Sequence, residues 1–390
     1  MSNVLIIGNG FDIYHGLPTR YSDFLFLAVH WKEFKEKCDA SLAIGDRNEQ
    51  ISVHLDEHGR LCEKSLDDFV NHNFIFDEEH IQFLNDHITQ NAWIKYFLSS
   101  NFTGRGWVDF ETKIKDVLYT IDSFFNELPH CVGKIASVAL DSHITSTYSS
   151  FQELLAQKYK TEYLGMIHKS DVEESKLKEQ RLYLIGKLKE ELDVLIKCLQ
   201  YYLWDFVNPI KCEKYSKQIR ELGNVYLLNF NYTDTYKKNY GNLRKAHHPI
   251  HGDCLNGGMV LGIPDDCFED KLEYIYFVKY FQRIQKRAGS FYKEWIQAPD
   301  PETRILEDTP IHAYIMGHSL AETDKGVLQD FFCNDWVETI TIYFHNQRAY
   351  EDMVINLVRM FGKDFVIDQT GRKRIKFEKL QDPVAGGGRV

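Results

Sequence analysis

The sequence predicts an α/β fold, built on a mostly parallel sheet that a large helical insertion interrupts. Short apolar runs rich in β-branched or aromatic residues occur at the start of the chain and again after residue 222, with helical stretches between several of the later runs. In between, apolar residues recur every three or four positions, as in amphipathic helices. We therefore expect residues 1–30 and 222–375 to form one domain, residues 31–221 to form the insertion, and residues 376–390 to form a flexible tail.

The first predicted strand, residues 3–7, is almost entirely apolar and ends at a turn with two glycines one residue apart. The turn reads Gly8, Asn9, Gly10, Phe11 and Asp12. In α/β sheets such a turn lets backbone amides approach a phosphate closely, so it predicts a nucleotide-binding loop. A plain tight turn is the alternative, because Ile13 replaces the third glycine of the dinucleotide fingerprint.

The insertion is predicted to be helical, with its clearest pattern over residues 171–206. There a charged stretch leads into leucines and isoleucines at helical spacing. This pattern indicates a long amphipathic helix that packs against other helices or forms a contact between copies of the chain. Earlier in the insertion, residues 107–111 read Trp-Val-Asp-Phe-Glu. This segment can be the start of a helix with an apolar anchor, or it can bring Glu111 to a ligand.

Four further strands are predicted after the insertion, over residues 225–231, 259–261, 312–316 and 339–344. Ligands of open parallel sheets bind beyond the carboxyl ends of the strands. Here Asn, Asp, His, Ser and Gly follow the predicted strands, in place of the Lys, Glu and Pro of ordinary loops. They are found at Asn9 and Asp12, at residues 231–234, 251–253 and 317–320, and at His345 and Asn346. Their convergence predicts one polar site at this edge of the sheet.

The composition argues against several kinds of partner. The formal net charge is -11, which disfavours nucleic acid or an anionic membrane as the main partner. The eight cysteines include no Cys-x-x-Cys pair, so no zinc-ribbon site is expected, and scattered thiols of this kind are typical of the reducing cytosol. The apolar run at residues 3–7 is too short for a signal core or a membrane span. We therefore expect a cytoplasmic protein with no membrane segment.

Several of these segments resemble motifs of two known families. The turn at Gly8 and the Gly-Leu-Pro at residues 16–18 resemble the opening of the sirtuins, and the segments around Asn231, His251 and Gly317 follow in the sirtuin order. The particular residues of the same segments, together with the Trp-Val-Asp-Phe-Glu of the insertion, are similar to motifs of the bacteriophage abortive-infection AbiH family. The resemblance implies a sirtuin-like, Rossmann-type fold that binds NAD, and an enzyme that responds to a phage-derived trigger.

The same resemblance implies the chemistry of the site. Sirtuin deacylases carry a zinc module on Cys-x-x-Cys pairs, which this sequence lacks, so the resemblance implies hydrolysis of NAD at the nicotinamide–ribose bond instead. Asn231 is expected to orient a water molecule or a ribose hydroxyl, and His251 is expected to accept a proton. No metal is expected. The residues expected to bind the nucleotide are Gly8, Asn9, Gly10, Phe11, Asp12, Asp234, Gly317, His318, Ser319 and Asn346.

Other interpretations of these residues stay open at the level of sequence. Asn231 can be a helix cap, and the histidines at positions 247, 248 and 251 can be metal ligands of a phosphohydrolase or nuclease. The protein can also sense NAD or ADP-ribose without turnover and pass the signal through the insertion. The ligand itself can be NAD, NADP or an ADP-ribose derivative, and Thr233 stands where sirtuins carry an Asp that contacts nicotinamide.

Overall fold

The structure is a computed structural model of the 390-residue chain. It describes residues 2–40, 50–71, 76–99, 109–131, 146–147, 149–151, 153–154, 174–241, 245–297 and 310–385.

The described strands form one large and one small sheet. In chain order they are β1 (Ser2–Ile7), β2 (Lys214–Tyr215), β3 (Val225–Asn229), β4 (His247–Pro249), β5 (Ile311–Met316), β6 (Val337–Phe344), β7 (Ile375–Lys379) and β8 (Val384–Ala385). The large sheet has the order β4-β3-β1-β5-β6-β7 and is parallel throughout. Counted along the chain, its strands lie in the order 3-2-1-4-5-6, which is the order of Rossmann-type dinucleotide-binding domains. The predicted α/β fold class is confirmed.

The position of β1 at the centre of this sheet explains its uniformly apolar sequence. Asn3 pairs with Val225 on one side and with His312 on the other. Val4 and Ile6 pack on one face of the sheet, and Leu5 and Ile7 pack on the opposite face. A strand that is covered on both faces has no solvent-facing positions, so its side chains do not alternate between apolar and polar.

The described helices surround the sheet and build the insertion. In chain order they are α1 (Asn9–Tyr14), α2 (Tyr21–Ala40), α3 (Glu63–Asn71), α4 (Glu78–His87), α5 (Ala92–Ser99), α6 (Phe110–Cys131), α7 (Glu174–Tyr202), α8 (Lys217–Glu221), α9 (Thr235–Tyr240), α10 (Lys279–Gln285), α11 (Lys325–Phe332), α12 (Gln347–Phe361) and α13 (Lys363–Gly371). In the described part of the chain, no helix has the length and apolar character that crossing a bilayer requires.

The long helix α7 is the centre of the insertion. It packs against α4, α5 and α6, and leucines along it, including Leu184, Leu188 and Leu195, are buried. The indole nitrogen of Trp93 in α5 donates a hydrogen bond to the Leu188 carbonyl over 2.9 Å. Much of the apolar face that predicted a helix contact or an inter-chain contact is therefore buried within the chain, although Leu182 is exposed. A contact between copies of the chain stays a prediction. At its end, α7 continues into a π-helical turn, Leu203–Val207, a rare form often found beside functional sites.

The predicted domain boundaries stay a prediction, and the described elements do not follow them residue by residue. The boundary at residue 30 falls inside α2, and residues of the segment between Cys254 and Val278 pack into the core of the insertion instead of against the sheet. Part of the segment predicted as a tail belongs to strands. Residues of β7 extend the sheet, and β8 pairs with β2 in an antiparallel arrangement. Residues 386–390 lie outside the described residues.

The predicted strand over residues 259–261 is not a strand. Its side chains are buried as expected, but its backbone bonds irregular neighbours. The amide of Val260 donates to the His251 carbonyl over 2.9 Å, and the amide of Leu261 donates to Gln282 Oε1 over 3.1 Å. The backbone amides of a three-residue apolar run can find hydrogen-bond partners in loops and side chains as well as in a sheet, so a short apolar run does not by itself indicate a strand.

Candidate functional site

A cavity of about 140 Å³ lies where β1, β3, β4 and β5 end. The loops after these strands contribute most of its lining, namely Gly8, Asn9, Asp12, Phe230, Asn231, Tyr232, Thr233, His251, Gly317, His318, Ser319, Ala321, Thr323 and Asp324. The insertion and the segment that leads into it contribute Thr19, Tyr21, Asp109, Glu111, Leu199 and Leu203. The site is thus built jointly by the sheet and the helical insertion.

The glycines of the first turn let two strand ends pack against each other. Gly317 follows β5 with a φ of 70°, and a Cβ at this position would lie 1.9 Å from the backbone nitrogen of Phe11. The amide of Gly8 donates to the Met316 carbonyl over 3.2 Å, and the amide of Gly10 donates to the Gly317 carbonyl over 2.7 Å. Both amides have backbone partners, and the close packing of the two turns is one reason for glycine at positions 8 and 10. The predicted approach of this turn to a phosphate stays a prediction.

Asn231 is held in the cavity wall by the carboxylate of Asp12. Its Nδ2 donates to Asp12 Oδ1 over 3.1 Å, and the hydroxyl of Thr233 donates to Asp12 Oδ2 over 2.6 Å. The backbone amide of Asn231 donates to Asn229 Oδ1 over 2.9 Å. Within the described residues, Asn231 Oδ1 is buried and has no hydrogen-bond partner. Its side chain does not act as a helix cap, because the residue before α9 is Asp234.

Burial raises the pKa of Asp12 to about 6, against the hydrogen bonds and the Lys238 charge that oppose the shift. Its folded-state pKa exceeds the unfolded value of about 3.9, so the folded state keeps a proton that the unfolded state loses. Wild-type stability relative to an Asp12→Asn variant should therefore fall by about 3 kcal/mol as the pH rises, mainly between pH 4 and pH 6. Urea unfolding of both proteins across this range measures the difference.

Asp116→Asn is the matched control for that experiment, because Asp116 is an exposed carboxylate on α6. The difference between wild type and this control should stay nearly constant with pH. Parallel curves for wild type and Asp12→Asn would contradict the expected protonation of Asp12.

A buried charge cluster borders the cavity, with Asp324 at its centre. Lys279 is fully buried, and its Nζ lies 2.8 Å from Asp324 Oδ1 and 2.8 Å from Glu111 Oε2. His251 Nε2 lies 3.4 Å from Asp324 Oδ1, and His318 Nε2 lies 3.4 Å from Asp324 Oδ2. One carboxylate thus contacts a lysine and two histidines.

The ionisable groups of this cluster have pKa values that are shifted in different directions. Burial opposes the charge on Lys279, but Asp324 and Glu111 outweigh it, so the pKa of Lys279 is raised. Burial would raise the pKa of Asp324, yet Lys279 and the two histidines hold it well below the usual value. Burial raises the pKa of Glu111 to about 7 despite the attraction of Lys279. Burial and the Lys279 charge lower the pKa of His251 to about 4, so His251 is neutral at physiological pH.

The neighbouring His318 has a defined tautomer in its neutral form. The backbone amide of Leu320 donates to His318 Nδ1 over 2.9 Å, which leaves the proton on Nε2, facing Asp324. His251 lacks such a fixed partner. Its Nε2 is buried without a hydrogen bond to any residue that the structure describes, since the contact with Asp324 is long.

The structure brings eight of the predicted site residues together in the cavity lining, and these are Gly8, Asn9, Asp12, Asn231, His251, Gly317, His318 and Ser319. Gly10 is not part of the cavity lining, and Phe11 is fully buried in the core on one face of the sheet. Asp234 lines a separate pocket with Lys237 and His247, and it contacts Lys238 over 3.3 Å.

Asn346 does not line the cavity, and its expected contact with the nucleotide stays a prediction. The residue is exposed and forms the N-cap of α12, where its Oδ1 accepts a hydrogen bond from the Ala349 amide over 2.9 Å. Asn at the end of a strand and the start of a helix fits a cap as well as a ligand contact.

Lys279 and Asp324 were not predicted from the sequence. Lys279 stands in the largely apolar stretch Phe277-Val278-Lys279-Tyr280-Phe281, and a lysine among such neighbours is a signal of a buried cation. In the segment at residues 107–111, Trp107 and Val108 lie outside the described residues. Asp109 caps α6 through a 3.0 Å bond from the Glu111 amide, so the segment is a helix start. Glu111 also lines the cavity, and its contact with a ligand stays a prediction.

Metal binding was one alternative for the histidines of this region. Across the ranges that the structure describes, no three His, Cys, Asp or Glu side chains are grouped as metal ligands are. His248 is fully buried beside the rings of Phe291 and Tyr292, on the side of β4 where aromatic residues pack.

Comparison with known proteins gives one match. The family model described as bacteriophage abortive infection AbiH matches residues 4–345. No curated protein and no solved structure matches the chain.

Proposed function

The chain belongs to the bacteriophage abortive infection AbiH family, and we propose that it serves this defence by hydrolysing NAD at the bond between nicotinamide and ribose. The family indicates a role in abortive infection. The reaction is our proposal, and it starts from the chemistry of the cavity. A phage-derived trigger would switch the activity on, and NAD depletion would stop the infected cell from producing phage.

One observation carries this proposal. Asn231 Oδ1 and His251 Nε2 are both buried, both belong to residues that line the cavity, and neither has a hydrogen-bond partner in the described part of the chain. An unsatisfied buried polar atom costs about 1–3 kcal/mol, so such atoms indicate a missing ligand or water. A ribose hydroxyl can pair with both atoms, because a hydroxyl can donate and accept hydrogen bonds.

The size of the cavity supports a sugar as its occupant. A volume of about 140 Å³ is close to the roughly 150 Å³ that accommodates a single six-membered ring in an engineered protein cavity. A ribose ring therefore fits inside, while the rest of a dinucleotide would extend past Asn9 and the exposed Ser319 at the edge. In the proposed arrangement the bond to be cleaved would lie in the buried part of the site.

The reaction breaks the C1′–N bond, and its electron pair leaves with the nicotinamide ring. The transition state is an oxocarbenium-like ribosyl cation, and a water oxygen then bonds to C1′ while a proton is lost. Asn231, fixed by Asp12, orients the water or a hydroxyl through its amide. The carboxylates of Asp12, Glu111 and Asp324 in the wall favour the positive charge that develops on the sugar. Neutral His251 hydrogen-bonds a ribose hydroxyl.

The test follows nicotinamide release from NAD by the full chain purified from phage-infected cells. Asn231→Ala and His251→Ala should each lower the rate at least about 100-fold, because each removes a group that orients the reacting sugar or water. Asn334→Ala is the matched control. Its amide bonds Ile296 and Trp336, outside the cavity, so its rate should equal that of wild type.

A second measurement tests whether phage infection triggers the activity. Total NAD is followed in cultures that express the chain and are protected from phage. NAD should fall after infection with wild type and stay constant with Asn231→Ala. Protection without loss of NAD would show the proposal to be wrong. If NAD also stabilised the purified protein against heat in a saturable manner, the protein would be an NAD sensor instead.

A further inference from the structure

Glu111 is an acidic residue in the lining of the cavity. It belongs to the first turn of α6, in the helical insertion, and not to the sheet. Its neighbour Phe110 is fully buried between the rings of Tyr21 and Phe97, with centroid separations of 4.1 Å and 4.2 Å. Phe110 thereby fixes the start of the helix, and the position of Glu111 follows from that anchor.

The carboxylate of Glu111 faces the cavity and is held by a cation. Its Oε2 lies 2.8 Å from Lys279 Nζ, and its side chain is 12% exposed. Lys279 is shared with Asp324, which also contacts both histidines. A carboxylate in this place is oriented by a fixed partner and is still accessible from the chamber where we place the ribose.

We propose that Glu111 is a catalytic residue, the base that takes a proton from the water attacking C1′ of the ribose. This inference rests on the proposed NAD hydrolysis. As the bond from C1′ to nicotinamide breaks and its electron pair leaves with the ring nitrogen, the water oxygen bonds to C1′. The water proton passes to a carboxylate oxygen of Glu111, which later releases it to solvent. The insertion thus supplies part of the active site.

The pKa values favour Glu111 over His251 as the base in this step. A general base works best when its pKa lies near the working pH. Burial raises the pKa of Glu111 to about 7, whereas burial and Lys279 lower the pKa of His251 to about 4. The groups that face Glu111 are the charged Lys279, Asp324 and Asp109 and the phenols of Tyr21 and Tyr232, which lie on five different segments.

The test uses the full chain purified from phage-infected cells and measures nicotinamide release. Glu111→Gln should lower kcat about 100-fold and change KM less than about threefold. The wild-type rate should rise with pH through about 7 and then level off, because the base must be deprotonated, and Glu111→Gln should lose this rise. Asp116→Asn removes an exposed charge from the same helix and should keep both the rate and the pH profile.

Glu111→Ala separates a catalytic role from a structural one. Sodium formate, a small base, or azide, a nucleophile that needs no base, should restore the rate at least about tenfold, and azide should yield the azido-ribosyl product. A folded Glu111→Ala protein that neither reagent rescues would overturn the proposal, as would wild-type activity in Glu111→Gln while Asn231→Ala is inactive. In both cases NAD hydrolysis itself would stand. Absence of nicotinamide release and of NAD loss with wild type overturns both proposals.

Discussion

Gly317→Ala should abolish stable folding of the sheet, with a loss of at least about 4 kcal/mol of unfolding free energy. The added Cβ would lie 1.9 Å from the Phe11 nitrogen and 2.4 Å from the Gly10 carbonyl carbon. These neighbours are backbone atoms, so no side-chain rotation can relieve the clash. The turns after β1 and β5 would have to separate, and both lie at the centre of the sheet. Urea unfolding and the yield of soluble protein measure the effect.

Gly362→Ala is the matched control, because it separates backbone strain from the clash. Gly362 has a φ of 83° and a ψ of 154°, and apart from its chain neighbours no atom lies within 4 Å of its added Cβ. This variant should lose only about 1–3 kcal/mol, the usual cost of a side chain in a backbone region that glycine alone commonly adopts. Equal losses in the two variants would mean that the close approach of the two turns does not matter for stability.

Lys279→Met should destabilise the folded protein by about 3–5 kcal/mol, since it leaves two buried carboxylates without their shared cation. Methionine fills similar volume, so the loss reports charge more than packing. Without Lys279 the pKa of Glu111, already raised to about 7, would rise further, and the pKa of Asp324 would rise above its unfolded value. The variant should therefore lose further stability relative to wild type as the pH rises from 4 to 8. Urea unfolding across this range tests both the size and the sign.

Two further variants distinguish the loss of a buried charge from a loss of packing. Lys293→Met removes an exposed lysine that contacts Asp330 over 3.0 Å, and it should cost less than about 1 kcal/mol. Adding Glu111→Gln to Lys279→Met should recover part of the lost stability, because one of the unpaired carboxylates is then gone. A loss that is independent of pH and unchanged by Glu111→Gln would point to packing, and it would contradict the role of the charge cluster.

The local patterns of the sequence predicted the fold class because they are direct consequences of burial. A strand covered on both faces has to be apolar, as β1 is, and a helix packed on one side has to repeat its leucines, as α7 does. The short β4, with two histidines and a proline, carries no such pattern. Its place as an edge strand comes from pairing with β3 and cannot be deduced from three residues.

The site was predictable to the extent that it lies at strand ends. Asn231 and His251 follow strands β3 and β4, so the topology brings them to the same edge as Asp12. Lys279 begins a helix, Asp324 lies at the end of a short 3-10 turn, and Glu111 comes from the insertion. Their meeting depends on how the insertion packs on the sheet, which is a long-range property that spacing along the chain does not contain.

The insertion also determines when the site can form during synthesis. The central strand β1 is made early, but both of its neighbours, β3 and β5, are encoded after the insertion. A nascent chain that stalls within the insertion therefore has a lone central strand and no carboxamide or imidazole opposite Asp12. Under the proposed NAD hydrolysis, an unfinished translation product of this kind would lack the residues that we place at the reacting bond.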